Sequence, residues 1–181
     1  MNASAASRAS KDKDRISKHR GASLRRSAAR LAAVQALYQI EMSGTAPEVV
    51  LDEFLDHRLK EEVDGVRLDS ADRRMLRELV AGVAAAAPTL DDMLSAVLED
   101  GWPVERLETL LRLLLRAGAY ELSERRDIPP RVVIAEYVDL ADAFFGGKEP
   151  GMVNGVLDRL ARSLRPEAFA PGDAPAGHDP V

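Results

Sequence analysis

Three features of the 181-residue sequence predict an all-α fold. Apolar residues recur at three- and four-residue spacing, no stretch alternates with period two, and the apolar load is Leu, Ala and Val with aromatics at 4%. The first is the mark of helices that bury one face, and the second removes half-buried strands.

The elements follow in order. Residues 1–22 carry Ser, Ala, Lys, Asp and Arg with no large apolar cluster, which predicts a disordered arm. From Ser23 a helix is expected, with Leu24, Ala28, Leu31, Val34, Gln35 and Tyr38 on one face. Arg26 and Arg30, four apart, share a different face. The second half of this helix (Ala32, Ala33, Ala36, Leu37, Ile40) is apolar all round, so it is expected to be buried, with the cations where the helix emerges. Gly44 closes it, and Pro47 opens a short helix carrying Val49, Val50, Phe54 and Leu55.

Residues 60–69 read as an acidic loop, and Ser70 as the cap of a long helix with Met75, Leu76, Leu79, Val80 and Val83 inward. Pro88 interrupts that helix, yet Leu90, Met93, Leu94, Val97 and Leu98 continue nearly in phase, giving one kinked helix or two abutting ones. Gly101-Trp102-Pro103 is a break. Residues 104–125 are apolar on nearly every side (Leu107, Leu110, Leu111, Leu113, Leu114, Leu115, Leu122), which predicts a central core helix. Asp127-Ile128-Pro129-Pro130 stops it. A helix over Val132–Phe145 follows, then Gly146-Gly147, then a last helix from Pro150 with Val153, Val156, Leu157, Leu160 and Leu164 inward. The Pro- and Gly-rich residues 166–181 are expected to be a disordered tail. Tyr38 and Tyr120 are expected to be packed rings.

Charge is distributed unevenly. Residues 1–30 hold nine Lys or Arg (Arg8, Lys11, Lys13, Arg15, Lys18, Arg20, Arg25, Arg26, Arg30) against Asp12 and Asp14, whereas the other 151 residues hold 16 bases and 28 acids. A basic arm on an acidic body suits a polyanionic partner; the plainer alternative is a solvated tail or an N-terminal address.

Catalysis finds no foothold. With no cysteine, the chain has no thiol nucleophile and no cysteine-based zinc site. His19, His57 and His178 sit too far apart to suggest a metal set or a nucleophile–base pair, so neither a metal nor a cofactor is expected. Gly146-Gly147-Lys148 lacks the spacer and the Ser/Thr of a phosphate loop and reads as a helix cap. No apolar run reaches the length of a membrane span and no apolar core follows the basic start, which predicts a cytoplasmic, non-membrane protein.

Five segments in register resemble the family of the bacterial transcription antitermination factor NusB. They are Arg25-Arg26-Ser27-Ala28-Ala29-Arg30 with Ala33-Val34-Gln35-Ala36-Leu37-Tyr38, then Leu79-Val80-Ala81-Gly82-Val83, then Leu115 to Leu122 followed by Asp127-Ile128-Pro129, then Val132–Ala141, and finally Val153-Asn154-Gly155-Val156-Leu157-Asp158. The resemblance covers about residues 24–164. It implies an all-α domain over 23–165, with an N-terminal bundle at about 23–100 packed with a C-terminal bundle at about 104–165. It also implies a non-enzymatic RNA-binding factor that pairs with NusE, a small-subunit ribosomal protein. Together these bind single-stranded boxA RNA of nascent ribosomal RNA transcripts and support the antitermination complex on RNA polymerase.

By that resemblance Arg25, Arg26 and Arg30 contact RNA, joined by Lys148 and Asn154. The partner surface on the C-terminal helices takes in Arg112, Arg116, Pro130, Arg131 and Glu136. Ser27, Ala28 and Ala29 interrupt the arginine run usual in the family, and Met152 stands where an aromatic is common. A homodimer is an open alternative to a monomer, since a self-interface and the NusE surface can overlap. The family's domain also occurs fused to RNA cytosine methyltransferases, but this chain has no cysteine for covalent attack and no strand–loop–helix cofactor motif. The competing reading from another class is a helical adaptor whose basic arm is a passive tail.

Overall fold

The computed structural model describes residues 3–57, 62–63, 66–67, 70–98 and 103–170, with side chains from Arg20 onward and outside the short ladder at 62–67. Six α-helices account for most of these residues. They are α1 (Ala3–Ser43), α2 (Pro47–Asp56), α3 (Arg73–Ser95), α4 (Thr109–Glu124), α5 (Pro130–Phe144) and α6 (Glu149–Leu164). The class is all-α as expected.

The described residues divide into two compact units, 1–85 and 86–181. The expected boundary at Gly101-Trp102-Pro103 gives way to one inside α3. The reason lies in what the end of α3 holds: Asp91 pairs with Arg116 of α4, and the Val97 carbonyl just beyond α3 accepts a 2.9 Å bond from Arg159 Nε of α6. Residues 99–102 lie outside the described set.

In the first unit α1 starts at Ala3, not at Ser23. Composition predicts disorder over 1–22, but the segment has no proline, is rich in good helix formers, and places Arg8/Asp12 and Asp14/Lys18 four apart. Continued from a packed helix, such a segment adds turns without repeating the cost of nucleation. From Ala28 to Leu37 the helix is almost wholly buried, through Ala28, Ala29, Ala32, Ala33, Val34, Ala36 and Leu37. It ends at Gly44, whose φ of 67° is the left-handed conformation that glycine adopts without penalty. Helix α2 packs on α1 through Val50, Leu51, Phe54 and Leu55, and Gln39 Nε2 donates to Glu53 Oε2 at 2.8 Å.

Within the expected acidic loop, Glu62-Val63 (β1) and Val66-Arg67 (β2) form a minimal antiparallel ladder; the rest of that loop lies outside the described residues. Helix α3 is capped by Asp72 and not by Ser70. Asp72 Oδ1 accepts from the Arg74 and Met75 amides at 3.1 Å each, which satisfies two donors that the first turn leaves open. The Asp72 amide in turn donates to the Arg25 carbonyl at 3.0 Å, tying the start of α3 to α1. Helix α3 continues through Pro88 as one element.

In the second unit the expected helix 104–125 is shorter. Val104–Arg106 is a 3₁₀ turn, Leu107 is extended, and Glu108 caps α4 by accepting from the Leu111 amide at 3.0 Å. Helices α4, α5 and α6 pack mutually. All three meet at Gly118, where a Cβ would lie 2.7 Å from Leu157 Cδ1 and 3.3 Å from Tyr137 Cδ2.

Two buried polar groups hold this unit together. Glu121, 0% exposed, accepts a 2.8 Å bond from the Tyr137 hydroxyl. Arg165, just past α6, is 3% exposed and donates to three carbonyls: Leu122 at 2.7 Å, Ile128 at 2.8 Å and Glu121 at 3.0 Å. Two of these, Glu121 and Leu122, belong to the last turn of α4, at the negative end of its dipole; the Glu121 carbonyl also accepts from the Arg125 amide at 3.0 Å. Burial first, then the nearby Arg126 charge, lowers the Arg165 pKa from the usual arginine value, while Glu167, Asp127 and Glu121 oppose that shift. In the expected tail, Pro166–Phe169 forms a 3₁₀ turn with Phe169 4.6 Å beneath the Arg162 guanidinium. Residues 171–181 lie outside the described set.

Candidate nucleic-acid and partner interfaces

The first unit separates the three arginines expected to meet RNA. Arg25 is exposed and Arg26 half-buried, near the point where α1 leaves its packed stretch. Arg30 is 1% exposed and among the largest fully buried side chains. Expected as a surface cation, Arg30 is instead a core residue. It lies between Ala29 and Ala33 in the stretch where α1 is enclosed, and a guanidinium kept from water must be satisfied inside the fold.

Tyr38 also departs from expectation. It lies on the face assigned to the core, yet 39% of it is exposed, and Leu24 and Met42 on the same face are exposed at 62% and 63%. Of the expected face only Ala28 and Val34 are buried; α1 buries chiefly its alanine-rich side, through Ala29, Ala32, Ala33 and Ala36. Small residues let neighbouring elements approach closely, and that outweighs larger apolar groups on the other side.

The second unit holds the remaining named residues. Lys148 is exposed at the N-cap of α6, so Gly146-Gly147-Lys148 is a helix start. Asn154, exposed on α6, and Arg131, exposed on α5, line one open groove of about 370 Å³. Ile134, Ala135, Val138, Asp139 and Asp158 complete its lining. Asp158 is held by Arg162, at 2.7 and 3.4 Å. Two residues with different expected roles, RNA contact for Asn154 and partner contact for Arg131, thus share one surface.

Two of the expected partner residues, Arg116 and Pro130, are committed inward. Arg116 forms a two-armed pair with Asp91, Nε to Oδ1 and Nη2 to Oδ2, both 2.7 Å. Pro130 is buried as the first residue of α5, where its missing N–H costs nothing. Arg112 is half-buried with its Nε out of solvent. Glu136 is half-buried and engaged within the protein. Among the described residues no group of three or more His, Cys, Asp or Glu could hold a metal ion, and no helix is long and apolar enough to cross a membrane.

Sequence reading missed Arg165 altogether. It is the third of three arginines, after Arg159 and Arg162, at the end of an apolar helix, and pattern alone cannot separate it from its solvated neighbours.

These features describe a helical protein that offers exposed cations on α1 and an open groove lined by α5 and α6. The NusB family model matches residues 27–162, and the chain belongs to the NusB family. A transcription antitermination protein NusB from Bradyrhizobium sp. strain BTAi1 is 49% identical over 147 residues, 81% of this chain and 87% of the relative. One from Rhizobium etli is 46% identical over 143 residues, 79% and 89% of the two chains. Among solved structures, T. maritima NusB is similar with a TM-score of 0.62 at 31% identity, over 78% of this chain and 94% of that one. A structure described as antitermination factors NusB and NusE in complex with dsRNA shares the fold, with a TM-score of 0.63 at 23% identity over 76% and 96% of the chains.

Proposed function

We propose that this chain is a non-catalytic transcription antitermination factor that binds boxA RNA of nascent ribosomal RNA transcripts together with NusE and supports the antitermination complex on RNA polymerase. The observation that carries the reading is family membership across residues 27–162, coupled to the exposure of Arg25 on α1 beside the half-buried Arg26. Arg25 and Arg26 take the phosphates, with Lys148 and Asn154 as further contacts in the second unit. Arg112 on α4, with Arg131 and Glu136 on α5, are the partner residues that this reading retains. NusE is the partner in the solved complex of similar fold.

Charge supplies the reason for a partner. Residues 31–181 carry twelve more acids than bases, a field that opposes RNA. A cationic ribosomal protein on the C-terminal helices offsets that field and adds surface for RNA. The coupling is reciprocal, so RNA raises NusE affinity by the factor by which NusE raises RNA affinity.

The test is a titration of the chain, with and without NusE, against single-stranded boxA RNA, a duplex and an unrelated strand of equal length. Tightest binding to boxA, strengthened by NusE, is expected. Equal binding to all three leaves a generic polyanion binder, and no effect of NusE overturns the partner. Self-association that NusE reverses would assign the same face to a homodimer.

A further inference from the structure

The family model begins at residue 27, but α1 begins at Ala3, leaving more than twenty helical residues outside the family match. The unbroken helix gives their positions a fixed register, because successive residues turn by about 100°. In that register positions 8, 11, 15, 18, 25 and 26 fall within an arc of about 100° on one side of α1. All six are cations: Arg8, Lys11, Arg15, Lys18, Arg25 and Arg26. Asp12 and Asp14 fall to either side of that arc, and Lys13 and Arg20 fall opposite it. Flexible basic tails have no such sidedness.

We infer that the N-terminal extension of α1 is a second RNA-contacting element, a helical rail whose basic side continues the Arg25–Arg26 surface along the phosphate backbone beyond boxA. From Arg8 to Arg26 the rail is ~27 Å long, reaching well past the two cations it extends. Its chemistry is that of backbone contact: between Arg8 and Arg26 the arc holds six Arg or Lys positions and Ala22, with no aromatic residue to stack bases. The rail therefore adds affinity and length of footprint without sequence preference. This inference rests on the RNA-binding reading above, because the rail is useful only where Arg25 and Arg26 already meet RNA.

Two variants of the full chain with equal charge loss test it. Lys11→Gln with Arg15→Gln removes two charges from the basic side, and Lys13→Gln with Arg20→Gln removes two from the opposite side. Glutamine keeps the helix propensity, and circular dichroism verifies unchanged helix content. Binding is measured against salt on boxA RNA carrying a single-stranded extension at each end. The first pair should make the log–log slope shallower by about 1.4, at ~0.7 per lost contact on single strands, and the second should leave it unchanged. Equal effects of the two pairs would reduce the segment to an unoriented charged tail and overturn the rail. No effect of either pair, with boxA still bound, would overturn the rail and spare the RNA-binding reading. Failure of the unaltered chain to bind RNA would overturn both. Binding of phosphatidylserine vesicles that is weakened only by the first pair, with RNA affinity unmoved, would assign the stripe to an anionic membrane instead.

Discussion

Arg116 on α4 and Asp91 on α3 form a two-armed ion pair with both bonds at 2.7 Å, each side chain mostly withdrawn from solvent. Such a fork fixes both side chains and uses the guanidinium's directional donors inside the protein. An arginine held this way stabilises the unit before it is available to any partner.

Arg116→Ala should therefore lower stability by about 2 kcal/mol, since it strands the Asp91 carboxylate, and denaturant midpoints would report the change. The double variant Arg116→Met with Asp91→Leu should recover much of the loss, because apolar groups of similar volume often replace such a pair without penalty. If the single variant unfolds normally but binds NusE poorly, Arg116 belongs to the interface after all.

Removing the Arg165 guanidinium leaves three buried carbonyls without that donor. Arg165→Met should cost about 2–4 kcal/mol, and Arg165→Lys should recover only part, since one ammonium cannot reach three divergent acceptors. Although burial lowers its pKa, an arginine stays protonated at roughly pH 6 to 8, so the loss should not vary with pH across that range. Thermal melts across that range check both statements.

Gly118→Ala sets two effects against each other. Alanine gains up to about 1 kcal/mol in helix propensity, but its Cβ would sit 2.7 Å from Leu157 Cδ1 in a packed core, where overfilling costs about 1–3 kcal/mol. Net destabilisation is expected, with a partial return on adding Leu157→Val. A more stable Gly118→Ala variant would show that Leu157 moves aside freely.

Arg26 and Arg30, only four residues apart, should respond in opposite ways. Arg26→Ala is expected to reduce the salt dependence of RNA binding by about 0.7 and leave the melting temperature nearly unchanged. Arg30→Ala should lower the melting temperature sharply, because it opens a cavity and removes a buried polar group's contacts. Parallel melts and titrations separate the two roles.

Much of the fold was legible because helical periodicity is a local property. The buried leucines of α4, the prolines that open α2 and α6, and the Gly44 stop all follow from spacing and backbone chemistry within one element, whereas Pro130, expected to stop a helix, opens α5. What failed depended on neighbours. Asp72 and Ser70 are both good caps, and the choice between them rests on the Asp72 amide reaching Arg25 of another helix. Which side of α1 is enclosed depends on close packing against its alanines, so Tyr38 and Arg30 exchange their expected places. The candidate site was legible as a charge skew and a family likeness. Its division into outward Arg25 and inward Arg30 was not, since two arginines in one run carry the same local signal.

The bond from the Asp72 amide to the Arg25 carbonyl turns one proton into a reporter. Asp72 carries no charge that RNA would seek, yet its N–H is protected only while α1 and the start of α3 stay docked. An RNA that grips Arg25 and quiets the end of the packed stretch should slow deuterium exchange at that single amide. An RNA that levers the helix outward should speed it. Occupancy of the arginines can then be followed at a backbone position that touches no ligand, in the unaltered chain and without any attached probe.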